Sequence, residues 1–189
     1  MNNKWLKTVF LLLGLLLIRL EPVCAAPSII AVESPIISEN IQVENQQGHQ
    51  LSFYTDLIKN KTVAINFIFT TCSSSCPLAT AVFKQVQKQL GAQKIHLISI
   101  SVDPNTDTPA RLNTFAQQFK TATGWDFITG DRATINALLQ NLEAYSADKT
   151  LHTNMVLIGN DKTHTWTRLY GLPSAEAIIT AIKQVSPQP

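Results

Sequence analysis

The chain has 189 residues, fifteen Lys or Arg against thirteen Asp or Glu, a formal net charge of +2, and 45% hydrophobic residues. That length suits one domain with a single core. The charge is small and forms no Lys/Arg cluster, so the chain lacks the electrostatic footprint of a nucleic-acid binder, and no basic amphipathic stretch is present to hold a membrane surface.

Residues 1–26 read as a signal peptide. Lys4 and Lys7 precede an apolar run from Thr8 to Ile18, which ends at Arg19. At about 1.5 Å per residue, such a run covers only about half of a ~30 Å hydrocarbon core. Ala25 and Ala26, with Val23 or Cys24 at the −3 position, supply a cleavage site just before Pro27 or one residue earlier. The alternative is an uncleaved membrane anchor. Removal of the leader leaves twelve residues of each sign, so the basic character belongs mostly to the leader, and the exported chain works where disulfides can form.

Residues 27–47 read as an extended N-terminal extension, with Pro35 and alternating apolar positions, and residues 48–189 as the main domain. After a turn at Gly48 comes a short strand at Leu51 to Tyr54. Thr62 to Thr70 (TVAINFIFT) is a β-branched and aromatic run suited to a central strand. Pro77 to Leu90 follows as a helix, with Leu78, Val82, Val86 and Leu90 in helical register and Gly91 closing it.

Ile95 to Val102 is the next buried strand, broken by Asp103-Pro104. Thr108-Pro109 opens a helix to about Phe119, with Leu112, Phe115 and Phe119 inward. A short strand at Phe127 and Ile128, a helix from Ala133 to Leu142, and a hairpin of Met155–Gly159 with Thr165–Leu169 turning through Asn160-Asp161 come next. Ser174 caps a last helix through Val185. Strands alternating with helices predict an α/β fold with a central mixed β-sheet flanked by helices.

The chemistry concentrates at Thr70-Thr71-Cys72-Ser73-Ser74-Ser75-Cys76-Pro77. These are the two cysteines expected to survive in the mature chain, placed where a strand hands over to a helix. The helix N-terminus favours anions and so lowers a thiol's pKa. Cβ atoms at i and i+4 of a helix stand about 5–6 Å apart, against about 3.8 Å in a disulfide. Cys72 must therefore sit in the loop before the helix if a disulfide is to form easily. The pair can make a disulfide, bind a soft metal, or alternate between the two. As a structural staple it closes too small a loop to stabilise much, and a closed zinc site lacks its fourth ligand.

A third ligand is sought among four histidines. His49 lies beside a turn glycine, His96 sits inside an alternating strand, and His164 falls in a polar turn. His152 stands at the mouth of the strand Met155–Gly159 and joins the carboxyl edge of the sheet only if that strand runs antiparallel. Asp103 reads as the residue that turns the chain at the strand's end, and Asp107 or Thr108 as the cap of the next helix.

Together, Ile68-Phe69-Thr70-Thr71-Cys72-x-x-x-Cys76-Pro77, Ser101-Val102-Asp103-Pro104-x-x-Asp107-Thr108-Pro109, Ile128-Thr129-Gly130 and His152 resemble the SCO/SenC family of copper proteins linked to cytochrome c oxidase assembly. The likeness runs from about Gly48 to Ile182. It implies a thioredoxin-like fold and a copper site, for Cu(I) or Cu(II), made by Cys72, Cys76 and His152. It further implies a periplasmic metallochaperone that delivers copper to the binuclear centre of a cytochrome c oxidase subunit, or keeps that subunit's cysteines reduced. It also allows Asp103 a place beside the thiols. The rival reading is a thiol:disulfide oxidoreductase or thiol peroxidase with Cys72 and Cys76 as the catalytic redox pair and a thiol-disulfide exchange partner. Either would act as an exported monomer, with no stable membrane insertion once the leader is cleaved.

Overall fold

The computed structural model describes residues 30–187, apart from 36, 38–40 and 92–94. The expected signal peptide and Cys24 lie outside the described residues. Eight strands are present among them: β1 (Ile30–Val32), β2 (Gln42–Asn45), β3 (Gln50–Ser52), β4 (Thr62–Ile68), β5 (His96–Ser101), β6 (Trp125–Thr129), β7 (Met155–Asn160) and β8 (Thr165–Tyr170). They form one sheet in the order β1-β8-β7-β4-β5-β6-β2-β3. The middle strands β4, β5 and β6 run parallel, while β7 pairs antiparallel with β4 and β2 antiparallel with β6. The sheet is mixed, as the alternation of elements predicted. Residues 30–45 supply β1 and β2, which pair with β8 and β6 toward opposite ends of the sheet.

Among the described residues four α-helices cover the sheet: α1 (Ser75–Leu90), α2 (Pro109–Gln118), α3 (Arg132–Asn141) and α4 (Ala175–Val185). Alternation along β4 sorts the core into two layers. Ala64 and Ile68 face a cluster with Phe83 of α1, Leu112 of α2 and Ile178 of α4. Val63, Ile65 and Phe67 face the other side with Leu138 of α3, Phe53 and Leu57. A strand buried on both faces reads as a continuous apolar run, which is why TVAINFI is apolar at nearly every position. Among the described residues no helix is long and apolar enough to cross a membrane.

Three expectations need correction. The strand expected at Leu51 to Tyr54 ends at Ser52, and Phe53–Ile58 coils into a short wide helix. Its buried residues Phe53, Leu57 and Ile58 follow helical spacing, and the Asp56 carboxylate accepts the Ser52 N–H at 2.7 Å, holding the bend. On α1 the buried stripe is Cys76, Thr80, Phe83, Val86 and Gln87, whereas Leu78 is 59% exposed. Thr80 is tolerated inside because its hydroxyl donates to the Cys76 carbonyl at 2.8 Å, so the burial stripe does not follow hydropathy alone. The β7–β8 turn spans Asp161 to His164 rather than Asn160-Asp161, since Asn160 pairs with Thr165 and accepts the Thr163 N–H on its side chain.

Helix ends match the sequence more closely. Thr108, Asp131 and Ser174 each accept a backbone N–H from the first turn of α2, α3 and α4. Gly91, at φ +69°, closes α1.

Candidate functional site

The carboxyl ends of parallel strands are where open α/β sheets gather their ligands. Here β4 ends at Ile68 and the chain passes through Phe69 to Ser74 before α1 begins at Ser75. Cys72 lies in that loop, as an easy approach of the two thiols requires, and Cys76 is the second residue of the helix. Both are free thiols; Cys76 is buried and Cys72 half-buried. Ser74, the residue before the helix, makes no side-chain cap. Its place is taken by the Cys72 sulfur, which accepts the Cys76 N–H at 3.3 Å.

This makes the two thiols unequal. Burial raises the Cys72 pKa, but hydrogen bonds from the Cys76 thiol and N–H and from Ser74 outweigh it and lower the value to about 7. Burial pushes Cys76 up to about 12, reinforced by its hydrogen bond to Cys72 and only partly offset by the Phe69 backbone. Around neutral pH the outer thiol is therefore the one that ionises, while the inner one stays protonated. Cys72 opens onto a groove of about 500 Å³ between the start of α1 and α2, lined in part by Pro77, Arg111, Phe115 and Phe119.

His152 reaches the same edge because β7 is antiparallel to β4. Val156 pairs with Asn66, so continuing the register sets His152 level with Thr70. His152 is 8% exposed, and its imidazole stands edge-on to Phe69, with ring centroids 5.7 Å apart. Its Nδ1 lies 2.7 Å from the Lys149 carbonyl, while its Nε2 is buried with no hydrogen-bond partner. A carbonyl only accepts, so Nδ1 carries a proton, and in the neutral ring Nε2 presents a lone pair. Phe69 stands between the pieces: its backbone hydrogen-bonds the Cys76 sulfur and accepts the Cys72 N–H, and its ring faces His152. Among the described residues no group of three His, Cys, Asp or Glu side chains already stands close enough to share a metal ion.

The other histidines are elsewhere. His49 and His164 are exposed, and His96 Nε2 lies 2.9 Å from the Asp126 carboxylate. Asp103 turns the chain, its carbonyl accepting the Thr106 and Asp107 N–H groups. Its carboxylate is taken up by an ion pair with Lys149, and, against the effect of burial, that partner lowers its pKa. Thr108 caps α2, and Asp107 does something the sequence did not suggest. Fully buried, it accepts the Thr70 N–H at 3.1 Å and hydroxyl at 2.5 Å and the Ser101 hydroxyl at 2.7 Å, tying the cysteine loop to the end of β5. Phe69, Lys149 and Asp107 were thus missed as parts of the site. The one local signal was an aspartate followed by an adequate cap, which freed its own side chain for another use.

The parallel β4-β5-β6 core with its antiparallel β7 and a thiol pair at the start of α1 define a thioredoxin-like domain with a CxxxCP loop. The chain belongs to the SCO1/SenC family, whose profile matches residues 33–186. The SCO1 protein homolog of Bacillus subtilis is 38% identical over 95 residues, covering 49% of this chain and 48% of that protein. The match thus spans about half the length of that relative. The structure of BsSco, a member of the Sco family of cytochrome c oxidase assembly proteins in which a disulfide switch is identified, is 27% identical with a TM-score of 0.64, covering 82% of this chain and 96% of that one. Bradyrhizobium japonicum ScoI with copper bound shares the fold at a TM-score of 0.64 and 24% identity, over 77% of this chain and 97% of that one.

Proposed function

We propose that this protein is an exported, periplasmic copper chaperone that takes copper as cargo on Cys72, Cys76 and His152 and passes it to the copper-receiving subunit of a cytochrome c oxidase. The observation that carries the reading is the His152 imidazole: buried, oriented through Nδ1, with an unpartnered Nε2, at the same sheet edge as two free thiols. A buried polar atom without a partner is costly, and such exceptions mark sites where something else binds. Two thiolates and an imidazole suit Cu(I) and tolerate Cu(II), and a carbonyl behind the imidazole is the usual outer support of a ligating histidine. Copper is the metal held by the related ScoI, and oxidase assembly is the role given to BsSco.

A copper titration of the reduced, the oxidised and the His152→Ala protein, followed by absorbance and by competition with a chelator, tests this. One copper per reduced chain, none on the disulfide form and weaker binding in His152→Ala are expected. Unchanged affinity in His152→Ala removes that residue from the ligand set.

The inequality of the thiols favours a second activity, reduction of a partner's disulfide. The Cys72 thiolate attacks one sulfur of that disulfide and the other leaves as a thiol. Cys76 then displaces the remaining partner sulfur, leaving a Cys72–Cys76 disulfide and a dithiol partner. Cys76→Ser should trap the mixed disulfide on Cys72, and its failure to form with a disulfide-bearing acceptor peptide argues against this second activity.

A further inference from the structure

Lys149 opens the short helical turn Lys149–Leu151 that leads into His152. It touches the site in three ways. Its ammonium pairs with the Asp103 carboxylate, which follows β5. The same ammonium stands 5.4 Å over the centre of the Phe69 ring, within reach of a cation–π attraction. Its carbonyl receives His152 Nδ1 at 2.7 Å and, more weakly, the His152 N–H at 3.4 Å. The side chain thus anchors the turn to the sheet edge while the main chain orients the imidazole.

The anchor is itself held. The Asp103 N–H donates to the Ser101 hydroxyl at 3.0 Å, and that hydroxyl donates to Asp107, which grips Thr70. A chain of hydrogen bonds and one ion pair therefore runs from the imidazole of His152 to the loop that carries Cys72. The Asp103 side chain is 11% exposed and that of Lys149 is 36% exposed, so the pair is shielded enough to fix geometry. Among the described residues no hydrogen bond joins Asp103 to either sulfur, so Asp103 bears on the thiols through position.

We propose that Lys149, anchored by Asp103, is the positioning residue that holds the His152 ring with Nδ1–H on the carbonyl and Nε2 offered as a ligand. This rests on the reading of His152 as a copper ligand. Loss of the anchor frees the turn, lets the ring rotate or change tautomer, and weakens copper capture by up to the about tenfold to hundredfold that losing an outer partner of a ligating histidine costs.

The test uses the full mature chain with Lys149→Met, which keeps a long unbranched side chain and removes the charge, alongside Lys149→Arg and Asp103→Asn. In the metal-free protein, nitrogen NMR of the imidazole should report the Nδ1–H tautomer in wild type and a shift toward Nε2–H in Lys149→Met. Copper affinity should fall in Lys149→Met and Asp103→Asn, fall no further when the two are combined, and recover in Lys149→Arg. In a His152→Ala background Lys149→Met should change nothing. Wild-type affinity and tautomer in Lys149→Met overturn the proposal, as does an equal loss with and without His152. Should His152→Ala alone bind copper like wild type, the ligand assignment fails instead. Should Lys149→Met fold poorly, the tautomer in Asp103→Asn decides by the same criterion.

Discussion

Replacing Asp107 by Asn tests whether one buried carboxylate holds the cysteine loop. Asp107 is fully buried, and three donors converge on it: the Thr70 N–H, the Thr70 hydroxyl and the Ser101 hydroxyl. Hydrogen bonds to a charged group contribute about 1.5–3 kcal/mol each, and stranding a buried donor costs about 1–3 kcal/mol. Asn keeps the shape and one carbonyl acceptor but turns an amide toward a donor. It therefore loses about one charge-assisted bond and strands about one polar group, for a net loss of about 3 kcal/mol. A domain of this size loses about 2–4 °C in Tm per kcal/mol, so the midpoint should fall by about 6–12 °C. Urea and thermal unfolding followed by tryptophan fluorescence measure it. Because Thr70 lies two residues from Cys72, alkylation of Cys72 in the native state should also change. A stability loss below about 0.5 kcal/mol, the level of an ordinary surface change, would refute the reasoning.

Three other outcomes are expected. In the reduced, metal-free protein, iodoacetamide should label Cys72 with a midpoint near pH 7 and leave Cys76 protected far into the alkaline range, as read by peptide mass spectrometry; equal labelling of the two sulfurs contradicts the inequality derived for them. Gly159 faces the Trp166 ring so closely that an added Cβ would stand 2.2 Å from it, and since that ring is buried, Gly159→Ala should cost about 1–3 kcal/mol in urea unfolding; a neutral effect means the ring moves aside freely. Burial works against the Asp126 carboxylate, but hydrogen bonds from His96 and Asn45 outweigh it and hold its pKa below the usual carboxylate range. A depressed folded pKa contributes stability that is present above the unfolded value of about 4 and is lost as pH falls through the folded one. Asp126→Asn should therefore flatten the fall in stability below about pH 4, and an unchanged acid limb would show that this carboxylate does not contribute to it.

The sequence carried the fold because the elements differ in period and in their ends: apolar runs for β4 and β5, capped amphipathic segments for α2, α3 and α4, and a glycine after α1. It misjudged elements where a side chain's hydrogen bonds, and not its hydropathy, set its place. Thr80 and Gln87 are buried on α1 because Thr80 bonds the Cys76 carbonyl and Gln87 bonds Ala122, while Leu78 is left outside. Asp56 ended β3 in the same way. The two cysteines were found from their spacing alone, since the strand-to-helix junction and Pro77 both mark a helix start. Their inequality was not, because it depends on Cys72 accepting the helix's first-turn N–H and on the burial of Cys76.

His152 shows most plainly what local sequence withholds. The run from Met155 to Asn160 is buried on both faces and would be written with the same residues whether it ran parallel or antiparallel to β4, so its direction is invisible in its composition. Direction decides everything for this residue. Were β7 parallel, the segment before it would emerge at the opposite edge of the sheet, about 20 Å from the thiols for a strand of six residues. The antiparallel pairing of Val156 with Asn66 brings it instead to the level of Thr70. The chain then has to fix the imidazole at an edge where no strand continues, and it does so with the turn at Lys149, whose carbonyl takes Nδ1 and whose ammonium reaches Asp103. A side chain placed by strand direction and held by a turn whose ion pair joins residues 46 positions apart leaves no periodic signal, whereas two thiols four residues apart do.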